Sequence, residues 1–170
     1  IRDELKSCGL GDVYKRQELK GENIFKGYWG MEEKTKESFK DDGFFITGDL
    51  AKKDENGYFT IVGRDKDMII SGGLNVYPKE IEDVINELPN ITESAVFGVQ
   101  HDDFGEAVVA AVVTTDDKND GSQILDYTKD KIAKYKQPKK IIFMSNLPRN
   151  SMGKVQKNKL RENNKSLFKS

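Results

Sequence analysis

Two apolar runs, "SAVFGV" at residues 94–99 and "AVVAAVVTT" at residues 107–115, restrict the fold more than any other feature of this chain. Apolar runs this short, with no polar residue on alternate positions, read as strands buried on both faces of a sheet. The segment "QHDDFGE" between them, residues 100–106, reads as a turn. A sheet of this kind needs helices to cover it, and the flanking sequence offers them. Pro78 suits the first turn of a helix, where a missing N–H costs nothing. Ile81, Val84, Ile85 and Leu88 then share one face, with Glu80, Glu82 and Asp83 near the positive end of the helix dipole. Ser122 is placed as the cap of a second helix whose buried face carries Leu125, Thr128, Ile132 and Tyr135. "KKIIFM" reads as a third strand, and the tail from Val155 onward as a polar terminal helix.

Upstream, "GFFITGDLAKKDENGYFTIVGR" reads as two strands joined by Asn56-Gly57, a pair that readily adopts the positive φ of a tight hairpin turn. It is not a calcium loop, because an EF-hand counted back from Gly57 runs from Lys52 to Gly63 and lacks both the first acidic ligand and the final glutamate. "DMIISGGLNVYP" reads as a second hairpin bent at Gly72-Gly73. The expected class is α+β: a small C-terminal domain with a mixed three-stranded sheet and flanking helices plus a β-hairpin. The charged stretch Gly63 to Met68 between the hairpins is the natural place for a domain hinge.

Composition removes several classes of function. The formal net charge is −1, from 28 basic and 29 acidic residues, so no overall field draws the chain to nucleic acid or to anionic lipid. A single cysteine, Cys8, excludes an internal disulfide, and with one histidine, His101, a Cys/His metal site is not expected. No apolar stretch approaches the roughly 20 residues that span a bilayer, and the first residues have no signal-like apolar core. The expectation is a soluble, cytoplasmic protein with no membrane or nucleic-acid partner and no bound metal of its own. The chain begins at Ile1 and not at methionine, so a piece of something longer is expected.

Familiar phosphate motifs are absent. Lys154 lies in no P-loop, since "GKV" lacks the following Ser or Thr and the glycine five residues earlier. "SGGLNVYP" lacks the spaced third glycine of a dinucleotide fingerprint. Taken singly, Lys154 reads as a solvated lysine, Asp49 as a turn cap and Gly72-Gly73 as a bend. Taken in order, "FFITGDLA", "GYFTIVGRDKDMIISGGLNVYPKEIE", "GVQHDDFGE" and "LPRNSMGKVQKNKLR" closely resemble the consecutive C-terminal motifs of the adenylate-forming enzymes, which include acyl-CoA synthetases, luciferases and peptide-synthetase adenylation domains. The resemblance runs from about Glu18 to about Arg161. Within it, "NIFKGYWGMEEKTKESF", "DGFFITGDL", "NVYPKEIE" and "LPRNSMGKVQKNKLR" look most like malonyl-CoA synthetases.

That resemblance implies a two-step reaction. A small carboxylic acid, malonate or methylmalonate, attacks the α-phosphate of ATP to give an acyl-adenylate and pyrophosphate; the thiol of CoA then displaces AMP. It implies residues 18–65 as the β-rich end of a larger N-terminal domain and 66–170 as a mobile C-terminal domain that rotates between the two steps. Lys154 would meet the charge that builds between carboxylate and α-phosphate, while Asp49 and Arg64 would bind the nucleotide at its ribose and nearby phosphate. Lys66 would be the hinge, and Ser71, Gly72 and Gly73 would line the tunnel for the pantetheine arm of CoA. Mg2+ would be held mainly by the N-terminal domain, whose phosphate loop and acyl pocket are absent, so that this fragment alone is expected to be inactive. His101 is assigned no catalytic role. The lysines of "KDKIAKYKQPKK" read as a solvated face within reach of the CoA phosphates. Residues 1–17 fit nothing expected before this region and are left unassigned, as a foreign junction or artefact. The competing functions are a ligase for another short-chain or aromatic acid, and a noncatalytic stand-alone docking module.

Overall fold

A computed structural model describes residues 14–116 and 120–169. Most of the unassigned N-terminal segment, with Cys8, therefore lies outside the described residues. The chain divides into two compact units after Lys66.

In the first unit, β1 (Tyr14–Leu19), β2 (Phe45–Lys53) and β3 (Phe59–Arg64) form an antiparallel sheet in that order. β1 was not anticipated, and its first four residues fall in the stretch left unassigned. Its register is set by pairs such as Arg16 with Leu50 and Glu18 with Ile46. Glu18, 5% exposed, is compensated by Lys40 Nζ at 2.9 Å. A short helix, α1 (Glu32–Ser38), also went unanticipated; it buries no residue and so shows no apolar stripe.

The hairpin expected at Asn56-Gly57 is present, but its turn has a different chemistry. Only Gly57 is left-handed, at φ +90°, and no residue other than glycine has positive φ among the described residues. Asp54 closes the loop instead, its Oδ1 accepting from the N–H groups of Asn56 at 2.9 Å and Tyr58 at 2.8 Å.

In the second unit, β4 (Ile69–Ser71) and β5 (Leu74–Val76) make the second hairpin, followed by α2 (Pro78–Ile85), β6 (Ile91–His101), β7 (Gly105–Thr114), α3 (Ser122–Lys129), β8 (Lys140–Phe143) and α4 (Lys157–Asn163). β6 and β7 pair antiparallel over their whole lengths, from Ile91 with Thr114 to His101 with Gly105. β8 joins the other side of β7 in parallel, a pairing that needs a crossover, which α3 supplies. This is the expected mixed three-stranded sheet. The hairpin extends it through one bridge, Ser71 to Gly105.

Both faces of the sheet are dry, which is why the two runs are apolar throughout. Val96, Val108, Ala110 and Val112 face Ile81 and Ile85 of α2 and Ile124 of α3. Ala95, Phe97, Val99, Val109 and Ala111 face the opposite way, toward Leu147 and Leu160 of the C-terminal segment.

Two local expectations are corrected. Ser122 is the first residue of α3 and not its cap; Gly121, at φ +86°, precedes the helix, and Asp120 Oδ1 accepts from Ser122 N–H at 2.9 Å and from its hydroxyl at 2.6 Å. The buried side chains are Ile124, Thr128 and Ile132, whereas Leu125 is half-buried and Tyr135 is exposed in a separate helical turn. The terminal helix begins two residues after Val155, because Val155 pairs with Arg149 as a β-bridge.

Candidate active site

In the first unit, the chain folds around "TGD". Gly48 takes φ +74°, a conformation that side chains rarely adopt, and a Cβ there would still have 3.9 Å to Arg64 Nη1. The glycine is needed for its backbone angle and not for space. The turn lets Thr47 Oγ1 accept from Asp49 N–H at 3.0 Å while donating to Gln17 O at 3.1 Å. Asp49 and Arg64 are cross-strand neighbours, and Arg64 Nε lies 2.7 Å from Asp49 Oδ1. Arg64 also donates through Nη1 to Thr47 O at 3.1 Å. The structure therefore brings these two sequence-predicted residues together. No donor among the described residues engages Asp49 Oδ2, so one carboxylate oxygen remains available to an incoming hydroxyl.

Lys66 is the exposed middle residue of a single 3-10 turn, Asp65–Asp67, at the end of the first unit. Its neighbours are each tied within their own unit: Asp65 to Arg16 Nε at 3.0 Å, and Asp67 to Arg161 Nη1 at 3.4 Å.

The Gly72-Gly73 turn has both glycines left-handed, at φ +58° and +77°, the backbone of a two-residue type I′ hairpin. Ser71 is buried at 5% exposed, and Gly72 N–H donates to Phe104 O at 2.8 Å. Nothing lies within 4 Å of a Cβ added at either glycine, so the outer side of the turn is bare backbone open to approach.

Lys154 sits on a turn that is closed by its own side chains and backbone. Asn150 Oδ1 accepts from Met152 N–H at 3.0 Å and Lys154 N–H at 2.9 Å. The same residue's backbone closes the turn, donating to Lys154 O and accepting from Gly153 N–H, both at 2.9 Å. Arg149 adds a bond to Gly153 O at 2.6 Å and an ion pair with Glu93 of β6. On the far side, Lys157 Nζ lies 2.6 Å from Glu82 Oε1, which also accepts from Val96 N–H at 2.8 Å, and Leu160 is fully buried. The turn is held at both ends, yet Lys154 is exposed and its ammonium has no partner among the described residues. An asparagine followed by glycine three residues on was the available signal for this Asx-closed turn.

The remaining candidates take structural places. His101 Nδ1 accepts from Asp103 N–H at 3.2 Å, and its ring packs against Phe104 and Phe168. Within the lysine cluster, Lys129 pairs with Asp126, Lys131 with Glu87 and Lys136 with Glu80. Hydrogen bonds from Lys131 and then Tyr127 hold the Glu87 carboxyl below its ordinary pKa, and the same carboxylate raises that of Lys131. Among the described residues no group of three or more His, Cys, Asp or Glu is placed to hold a metal ion. No helix among them is long and apolar enough to cross a membrane.

The segment that runs from α2 to the exposed lysine, residues 80–154, matches the family described as "AMP-binding enzyme C-terminal domain". This chain carries an AMP-binding C-terminal domain. Its relatives are acyl-CoA ligases. The long-chain-fatty-acid–CoA ligase FadD13 of Mycobacterium tuberculosis is 45% identical over 158 residues, covering 93% of this chain and 30% of the relative. The malonate–CoA ligase of Arabidopsis thaliana is 37% identical over 172 aligned residues, covering 94% of this chain and 28% of the relative. Among solved structures, ATP-bound MatB from Rhodopseudomonas palustris superposes with a TM-score of 0.86 at 56% identity, covering 95% of this chain and 32% of that one. The AMP-binding C-terminal domain and the strands before it thus span about 30% of the length of the curated relatives they match.

Proposed function

We propose that this chain is the C-terminal part of an AMP-forming acyl-CoA ligase that activates malonate or methylmalonate with ATP and passes the acyl group to CoA. The observation that carries this reading is the ammonium of Lys154, unpaired among the described residues, on a turn fastened at both ends. A lysine held in place without a counterion has its field directed at whatever anion arrives. In the first step the acid's carboxylate oxygen attacks the α-phosphorus, the bond to pyrophosphate breaks, and Lys154 offsets the negative charge shared between the two groups. Asp49 accepts from the ribose hydroxyls, and Arg64 orients that carboxylate while facing the same nucleotide. In the second step the CoA sulfur attacks the acyl carbon, AMP leaves, and the open backbone of Gly72 and Gly73, beside Ser71, gives the pantetheine arm a close surface. Lys66, between two residues each anchored within its own unit, is the hinge. The N-terminal domain of the full-length protein supplies the acyl pocket and most of the Mg2+ and phosphate binding.

The likeness to MatB at 56% identity and to the Arabidopsis malonate–CoA ligase supports a small dicarboxylic acid. The 45% identity to a long-chain ligase favours a second reading, a ligase for a different acid, because the acyl pocket lies outside this chain. Pyrophosphate release by the full-length protein, measured with ATP over a panel of malonate, methylmalonate, short-chain, long-chain and aromatic acids, separates the two. Malonate or methylmalonate should give the highest kcat/KM. A different preferred acid overturns the specificity, and no release with any acid overturns the ligase reading.

A further inference from the structure

The β4–β5 hairpin is fastened to the sheet in an unusual way. The N–H of a residue in an antiparallel strand is ordinarily met by a backbone carbonyl. Ile70 N–H instead donates to a side chain, Glu106 Oε2, at 2.8 Å. The backbone links of β4 to the β7 side are the single Ser71–Gly105 bridge and the bond from Gly72 N–H to Phe104 O. The carboxylate is therefore one of the few polar links that hold the hairpin at this edge, beside the apolar anchors Ile69 and Val76, both fully buried in the core.

Glu106 has a second consequence, at Gly98 in the middle of β6. A Cβ added at Gly98 would lie 2.6 Å from Glu106 Oε1, 2.8 Å from its carboxyl carbon and 3.0 Å from Ile69 Cγ2. Gly98 is not in the left-handed region, so its backbone would accept any residue. Its glycine is explained by space alone, and the space is filled first by the carboxylate that reaches Ile70 and then by Ile69 Cγ2.

We propose that Glu106 is a positioning residue for the Gly72-Gly73 turn, acting through the Ile70 N–H, and that Gly98 is a glycine in order to admit its carboxylate. This rests on the reading of that turn as part of the CoA channel. Loss of the carboxylate leaves the Ile70 N–H without its acceptor and frees the hairpin, so the CoA step suffers while adenylation does not.

The test uses the full-length enzyme with Glu106→Ala, Glu106→Gln, Gly98→Ala and the Glu106→Ala/Gly98→Ala double variant. Hydrogen exchange of the peptide covering 68–76 is followed by mass spectrometry, and the two half-reactions are assayed separately. Glu106→Ala should speed exchange and raise KM for CoA about tenfold, the order of one hydrogen bond to a charged acceptor, with kcat and pyrophosphate release within about twofold of the parent. Glu106→Gln keeps an oxygen for Ile70 and should restore both readouts. Gly98→Ala should change both readouts in the same direction as Glu106→Ala, and the double variant should lose clearly less than the sum of the two single ones, because both changes remove the interaction of Glu106 with Ile70 while only Gly98→Ala also crowds Ile69. Unchanged exchange in Glu106→Ala, equal loss in Glu106→Gln, additive losses in the double variant, or faster exchange with an unaltered CoA step would each overturn the proposal. An enzyme that releases no pyrophosphate with any acid removes the ligase reading, and exchange at 68–76 still decides whether Glu106 holds the hairpin.

Discussion

The charged groups assigned to the nucleotide are prepared in opposite ways in the two units. In the first, Asp49 already has a partner in Arg64, 2.7 Å away, so the pair is oriented before any ligand binds. In the second, Lys154 has none among the described residues, although its turn is fixed by Asn150, Arg149 and Lys157. A binding carboxylate profits from being held in one rotamer, because the ordering entropy is spent on folding and not on binding. A charge meant for a transition state gains most when nothing in the resting protein neutralises it. Lys157, three residues after Lys154, makes the point locally: its ammonium is consumed by Glu82 and serves the fold.

The sharpest way to break this comparison is Lys154→Ala in the full-length enzyme. Acyl-adenylate formation should fall on the order of 100- to 1,000-fold, while thioester formation from supplied acyl-adenylate stays largely intact. Stability should move by no more than about 0.5 kcal/mol, since an exposed side chain with no partner leaves nothing unpaired. Equal losses in both half-reactions, or a large drop in the urea midpoint, would show that the lysine is structural.

Glu82→Leu should have the next largest effect, and on stability. It strands Lys157, 16% exposed at the side chain, and also removes the acceptor of the N–H of Val96, a fully buried residue of β6. A cost of about 3 kcal/mol follows, near the lower end for breaking a buried pair because both groups keep some solvent. Lys157→Met should cost less, about 2 kcal/mol, because Glu82 keeps the Val96 bond. If the two variants have the same urea midpoint, the Val96 bond contributes nothing and the anchoring of the lysine turn has been misassigned.

Asp49→Asn tests the paired half of the comparison. The amide keeps its shape but loses its charge, so Arg64 keeps a weaker acceptor. KM for ATP should rise about tenfold, with a stability loss below about 1 kcal/mol for so exposed a pair. An unaltered KM for ATP would remove Asp49 from the nucleotide site.

What was legible in the sequence follows from the range of the interactions involved. Gly72-Gly73, Pro78 and the unbroken apolar runs obey local rules, and the structure has the type I′ turn, the helix start and the doubly buried strands where those rules put them. Ser122 failed as a cap because the helix already includes it: Asp120 accepts from both its N–H and its hydroxyl, and Leu125 N–H reaches back to Gly121 O. The order of the turn before Lys154 was not legible in Ser151, Met152 and Gly153 themselves; it comes from one asparagine and from an arginine whose partner is 56 residues away. β1 was hidden because its pairing residues, such as Arg16 and Glu18, do not alternate in polarity. Gly98 had no sequence explanation at all, since its reason is the side chain of Glu106 on the neighbouring strand. As for the site, a two-residue turn at Asn56-Gly57 would itself set Asp49 opposite Arg64; the structure reaches that pairing differently, through Lys53 opposite Phe59 and a register shift between Leu50 and Ala51 that no local rule announces.

The smallest effect belongs to an ion pair that answers neither description, Glu87 with Lys131 on the outer face of the second unit. The hydrogen bond from Lys131, then that from Tyr127, lowers the Glu87 pKa, so the folded state favours the charged carboxylate more than the unfolded chain does. A lowered carboxyl contributes stability that is present above its unfolded value, about 4.3, and is lost as pH falls through the folded value. Lys131 is raised, so its share is present below about 10.4 and is lost only as pH climbs beyond that. Between those limits the pair adds a constant amount, and because both side chains are well exposed that amount is small and screened by salt. Glu87→Gln should therefore lower the urea midpoint slightly at neutral pH, and the difference from the parent protein should shrink toward zero as pH drops below about 4. A difference that persists undiminished in acid would mean that the side chain stabilises α2 and α3 through its shape and hydrogen bonds. Its charge would then be incidental, and the distinction between a charge used by the fold and one kept for a ligand would rest on Lys154 and Lys157 alone.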